Sequence, residues 1–258
     1  MKLKAVAILI FSFAIFSLPA AEPALYIDDT STTAKRHFSL EFSADYYKDI
    51  EKELDPDTEE YEKTVSKEIT LTSSISYGLT DNWEIELTTP YRFLDDTSIG
   101  KVNGFSDIVI DTKYRLWDEK KFLPSYALYF DLKTSSGNEY KSLGTGEKNF
   151  GINNIFTKCI EKNIFDLNLG YTFVGGDSRN IFYYAFDWTR NLSKNTCLCN
   201  EIYGETTFEG DFDDNILVYT LSLDHQINEI VCLEVGTGIG ISQASADLQI
   251  SSTITFNF

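Results

Sequence analysis

Carboxylates repeated at every second position are the residues of this chain whose type and spacing could do chemistry. Asp166, Asp187, Glu201, Asp224 and Glu234 each fall in an alternating apolar–polar stretch, with no base of the same facing among them. Gathered on one wall, such a set favours cations in a pore. A second set mixes signs: Glu84, Glu86 and Asp107 with Arg92, Lys113, Arg115 and Lys133. Antiparallel pairing of 83–94 with 105–117 about a turn at Ile99 and Gly100 would set Glu84 opposite Arg115, Glu86 opposite Lys113 and Asp107 opposite Arg92. Lys133 would fall beside Asp107 on the following strand. Opposite charges facing across a ladder stabilise it by ~0.2–1 kcal/mol per pair.

Other chemistries find little material. The two histidines, His37 and His225, stand at strand ends with no Ser or Asp in register, so no nucleophile–base pair can be assembled and no enzyme is expected. Cys159, Cys197, Cys199 and Cys232 include no CxxC pair, and no metal or cofactor is expected. Gly144-Thr145-Gly146 lies between strands rather than before a helix, which disqualifies it as a phosphate loop. With 40 Asp and Glu against 22 Lys and Arg, the net charge of −18 excludes a nucleic-acid binder. An aromatic content of 14% excludes a disordered acidic tail.

The elements that must position these acids are strands. Alternation recurs over twelve stretches: 37–48, 65–79, 83–94, 105–117, 122–134, 149–160, 164–174, 180–191, 197–208, 215–226, 230–241 and 247–258. Turns of three to five residues alternate with loops that are mostly longer, around 49–64, 95–104, 135–148, 175–179, 209–214 and 242–246. Even strand number, short turns at one end and long loops at the other describe an all-β, twelve-stranded antiparallel up-and-down transmembrane barrel of the outer-membrane type. Outward-facing Tyr77, Trp83, Trp117, Phe122, Phe165 and Trp188 lie by the short turns, and Tyr91, Phe93, Tyr171, Phe173, Phe182 and Tyr184 by the long loops. Two such girdles suit two membrane interfaces, whereas a soluble sandwich would place its aromatics mid-strand. Met1 to Ala21 reads as a secretory signal peptide, basic at first, then apolar from Ala5 to Leu18, then small. The expected division is therefore a signal at 1–21, a periplasmic segment at 22–36 and a barrel at 37–258. The acidic run from Asp49 to Lys63 reads as a solvated surface loop.

Several stretches resemble the outer-membrane barrel family described as "putative MetA-pathway of phenol degradation" and labelled "transporter". Ile27-Asp28-Asp29-Thr30-Ser31-Thr32 resembles its start, and Gly104-Phe105-Ser106-Asp107 followed by Lys113-Tyr114 resembles its Gly-x-x-Asp strand. Pro124, Leu132-Lys133-Thr134, Gly137-Asn138 and Leu143-Gly144-Thr145-Gly146 follow its longest motif in order. Ser135-Ser136 departs from it, standing where a Pro-Thr pair is usual. The resemblance implies fold and location, not a catabolic activity. The terminal Phe258, with Phe256 and Ile254 on the same face, resembles the signal read by barrel-assembly machinery.

Together these readings lead to a monomeric outer-membrane barrel in lipid and lipopolysaccharide that passes small solutes through a hydrated, cation-leaning lumen. The alternative is a non-conducting structural or adhesion barrel, its interior filled by side chains or by segment 22–36.

Overall fold

The computed structural model describes residues 27–54, 61–97, 100–176, 178–207 and 215–258. The strands are β1 (Phe38–Leu54), β2 (Tyr61–Thr80), β3 (Trp83–Asp96), β4 (Gly100–Phe105), β5 (Val109–Trp117), β6 (Ser125–Lys133), β7 (Asn149–Ile160), β8 (Asn163–Phe173), β9 (Ile181–Asn191), β10 (Thr196–Thr206), β11 (Ile216–Gln226), β12 (Val231–Gly240) and β13 (Leu248–Asn257). Both β4 and β5 pair antiparallel with β3, as two pieces of one stave. The barrel thus has twelve staves, each paired with the next. It closes where β1 meets β13, with Phe38 and Phe258 exchanging backbone hydrogen bonds at 3.2 and 2.8 Å.

Burial is inverted relative to a water-soluble protein. Leu71, Ile85, Leu87, Ile110, Leu167, Phe186 and Leu221 are exposed on the outer face. The largest fully buried side chains include Asn168, Asp166, Asp187, Thr189, Glu201, Thr220 and Asp224, all on the inner face. A period of two forces this division, and only a hydrocarbon surround makes such an outer face stable. No helix among the described residues is long and apolar enough to cross a membrane. The three tryptophans sit by the short turns with their indole N–H groups satisfied: Trp83 donates to Thr112 Oγ1, Trp117 to the Pro124 carbonyl and Trp188 to Asn163 Oδ1. Interfacial tryptophans need such a partner at the wet end of an apolar ring.

Two expected loops shrink. β1 and β2 run on to Leu54 and from Tyr61, and pair as far as Leu54 with Tyr61, so much of the acidic run belongs to a hairpin. Its tip at 55–60 lies outside the described residues, as does the signal at 1–21. Likewise β3 continues to Asp96, which pairs with Gly100. Gly100 takes a φ of 79°, the left-handed conformation that a tight turn asks of glycine.

Candidate functional site

That tighter turn corrects the expected charge pairs. The β3–β5 register sets Glu84 opposite Lys113 and Glu86 opposite Asp111, two residues from the pairing expected about Ile99 and Gly100. An even slip preserves facing, so the inward residues stay inward while their partners change. Lys113 Nζ lies 3.2 Å from Glu84 Oε1. Arg92 grips Glu68 through Nε and Nη2 at 2.6 and 2.7 Å and donates from Nη1 to the Ser142 carbonyl at 3.1 Å, leaving Asp107 to others. Arg115 turns to the short-turn rim, 3.0 Å from Asp118. Lys133 does meet Asp107, at 3.1 Å.

Asp107 lies in the break between β4 and β5 and organises the loop that follows β6. Its Oδ1 accepts the Gly137 N–H at 2.8 Å and its Oδ2 the Thr145 N–H at 3.0 Å. A Cβ on Gly144 would fall 2.6 Å from Asp107 Oδ1, and one on Gly137 would fall 2.6 Å from the Leu143 carbonyl oxygen. The glycines of the longest motif are thus the residues that let this loop close on one carboxylate.

Residues 27–36, expected as a periplasmic segment, run along the inner wall. The chain turns inward at Arg36, whose φ is 66°, and donates from the Arg36 N–H to the Gly78 carbonyl at 2.7 Å. Gly78 is required there, because a Cβ would fall 2.1 Å from the Ala34 carbonyl oxygen. Further in, the Thr33 N–H donates to Glu84 Oε2 at 2.6 Å and the Thr30 N–H to Thr157 Oγ1 at 3.0 Å. Thr30 Oγ1 lies 2.6 Å from Ser125 Oγ. Asp28 accepts from Lys113 Nζ at 2.8 Å, and its carbonyl accepts from Asn168 Nδ2 at 2.7 Å. Ile27 ends the described path, buried with Ala185, Cys197 and Cys199 and packed against by Tyr183 and Tyr203. Cys197, Cys199 and Cys232 are buried, and Cys159 is exposed.

This segment changes the setting of the second acidic set. Asp166, Asp187 and Glu201 stand in direct register across β8, β9 and β10, and Asp224 faces Glu234 across β11 and β12. They were expected to line a hydrated mouth; instead Asp166, Asp187, Glu201 and Asp224 are at most 1% exposed. Neighbouring hydroxyl and thiol groups carry part of the cost. Thr157 donates to Asp166, Thr189 to Asp187 at 2.7 Å, and Cys232 Sγ to Asp224 at 2.7 Å. One oxygen each of Asp166, Asp187 and Glu234 has no hydrogen-bond partner.

Beside the segment lies a cavity of about 800 Å³. Among the described residues its wall carries eleven carboxylates, including Asp28, Asp29, Glu41, Glu84, Glu86 and Asp111, and a single base, Lys113. Sequence reasoning offers the inward segment only as its alternative, because Asp28 to Arg36 shows no period. The signal was on the opposite wall, where Ser125, Thr157 and Asn168 make an uncharged polar patch among acids.

Inverted burial, twelve closed staves and an acidic interior define an outer-membrane-type β-barrel. Within that class the chain belongs to the family described as "Putative MetA-pathway of phenol degradation", whose profile matches residues 60–258. An outer-membrane channel from Pseudomonas putida F1 has a similar structure, with a TM-score of 0.69 at 13% identity over 93% of this chain and 100% of that one. The KdgM porin, solved in complex with disordered oligogalacturonate, gives a TM-score of 0.56 at 10% identity over 85% of this chain and 99% of that one. At such identities the likeness is one of fold. The sequence matches no curated protein.

Proposed function

We propose that this chain is an outer-membrane channel for small solutes with a cation-leaning lumen, closed in the described state by its own residues 27–36. One observation carries the reading: among the described residues, eleven carboxylates and one lysine border the same cavity. Clefts lined by one sign of charge concentrate the opposite ion, and acidic rings favour cations in pores. Glu84, Glu86, Lys113, Asp224 and Glu234 border that cavity, while Arg92 borders a second one on the long-loop side. Export by residues 1–21, lipid and lipopolysaccharide surroundings, a monomeric state and assembly through the strand ending at Phe258 belong to the same proposal. So does the absence of an enzymatic role.

A permanently plugged structural barrel is the second reading, favoured by the hydrogen bonds and ion pair that hold Asp28, Thr30 and Thr33 to the wall. Planar-bilayer conductance separates the two. The reversal potential across a potassium chloride gradient is expected to show cation preference, and removal of residues 22–33 to raise conductance severalfold. Silence from both the intact and the trimmed barrel, each heat-modifiable on gels, would overturn the channel reading. Conductance without cation preference would overturn the lumen's assignment alone.

A further inference from the structure

The inner wall carries one acceptor whose orientation is fixed and whose partner is missing. The Asp28 N–H donates to Asn168 Oδ1 at 3.4 Å while Asn168 Nδ2 donates back to the Asp28 carbonyl at 2.7 Å, which fixes the Asn168 amide. Asn153 must therefore present Nδ2 to Asn168 Oδ1, at 2.8 Å, and leaves its own Oδ1 without a partner. Asn153 is only 9% exposed and borders the cavity. A buried acceptor of this kind asks for a donor.

Its surroundings say which donor. Tyr129 is the cross-strand neighbour of Asn153 on β6, and Gly170 is its neighbour on β8. Tyr183 leans across Gly170: a Cβ there would fall 2.7 Å from the Tyr183 ring and 3.4 Å from Asn153 Oδ1. One step toward the long loops, Glu86, Asp111 and Asp131 stand in direct register across β3, β5 and β6 with no base in the row. Like charges directly opposite destabilise a ladder, and Lys113, which borders the same cavity, is held by Asp28 and Glu84. No three acids, His or Cys among the described residues converge as a metal shell. The positive charge that suits this place is thus carried by an organic body that can lie on tyrosine rings, with N–H groups to give.

We propose that Asn153, Asp111, Asp131, Tyr129 and Tyr183 form a binding site for a protonated primary amine with an apolar or aromatic body, a solute on its way through the barrel. This rests on the cation-leaning channel reading and names its substrate class. The site also touches the closing segment, since Asn153, Asn168 and Asp28 form one hydrogen-bonded chain.

Calorimetric titration of the detergent-folded protein tests the site with three probes. Phenethylammonium is expected to bind at one equivalent, at least tenfold tighter than tetramethylammonium, which has the charge without N–H groups. It should exceed phenylacetate, which has the ring with the opposite charge, by at least as much. Asn153→Leu and Asp131→Asn should each weaken phenethylammonium at least fivefold. Asp131→Asn keeps shape and backbone, so a misfolded Asn153→Leu does not end the test. Equal affinities for the three probes, or folded variants that bind as the parent does, would overturn the site. The reversal potential of the same preparation keeps the two readings apart. Cation preference without amine binding overturns the site alone, and amine binding without cation preference overturns the cation-leaning lumen and leaves the site standing.

Discussion

Lys113 holds the inward segment by charge, its ammonium lying 2.8 Å from Asp28 and 3.2 Å from Glu84. Glu84 is buried and Asp28 only half-buried, so loss of Lys113 leaves mainly the Glu84 charge uncompensated, at a cost of ~3 kcal/mol. Lys113→Gln is therefore expected to release residues 27–36, seen as faster protease cleavage of the N-terminus and a higher open probability. A variant cleaved no faster than the parent would place the segment's anchorage elsewhere. Asp28 also makes docking sensitive to pH, through the cost of burying its charge, which outweighs the pairing with Lys113. Burial, with Asp29 and Glu84 beside it, pushes its carboxyl up to about 6 against the opposing Lys113, from an ordinary value of 3.8. Asp111 and Asp166 add negative charge nearby from β5 and β8. The docked segment thus binds this proton more tightly than the free one. Docking gains as pH falls through 6 toward 4 and loses as pH rises above 6. Protease protection of the N-terminus should be stronger at pH 5 than at pH 8, and the reverse order would refute the assignment.

At the scale of elements, the loop after β6 is held by one carboxylate and two glycines. Asp107→Ala removes the acceptor of the Gly137 and Thr145 N–H groups and the partner of Lys133. A loss of ~2–3 kcal/mol of loop stability is expected, read as protease cleavage within 135–148 while the barrel stays heat-modifiable. Gly144→Ala should do the same by crowding, since its Cβ meets Asp107 Oδ1 at 2.6 Å and Gly137 Cα at 2.8 Å. Resistance of both variants to cleavage would count against the clamp. This loop shows what the sequence made legible. The motif of Gly137, Leu143 and Gly144 stood out as a pattern, but its reason, closure on a residue thirty positions earlier, is tertiary. Staves were legible because facing depends only on a period of two. The β3–β5 partners were not, because Asp95, Asp96 and Lys101 are polar enough to pass for loop yet pair as strand. The break at 106–108 then shifts the register back by one residue, which leaves the net slip of two. The inward path of 27–36 has no period at all; its fit rests on Gly78 and on polar wall residues that alternation alone treats as lumen lining.

For the molecule as a whole, the acids divide into two populations that the sequence presented as one. Glu86 and Asp111 border the cavity, whereas Asp166 and Asp187 lie in direct register and are buried. Charge in a cavity acts on passing ions; charge packed against like charge acts on the fold. Replacing Asp166 and Asp187 together with Asn removes two adjacent like charges and supplies donors between them. Folding should gain roughly 1 kcal/mol, read as a higher midpoint of heat modification. Replacing Glu86 with Gln and Asp111 with Asn should instead move the reversal potential toward zero, because these acids border the space an ion crosses. The two double variants should thus part company, the first shifting the melting midpoint more than selectivity and the second selectivity more than the midpoint. Equal shifts in reversal potential from both would mean that ions sample the packed wall as freely as the cavity.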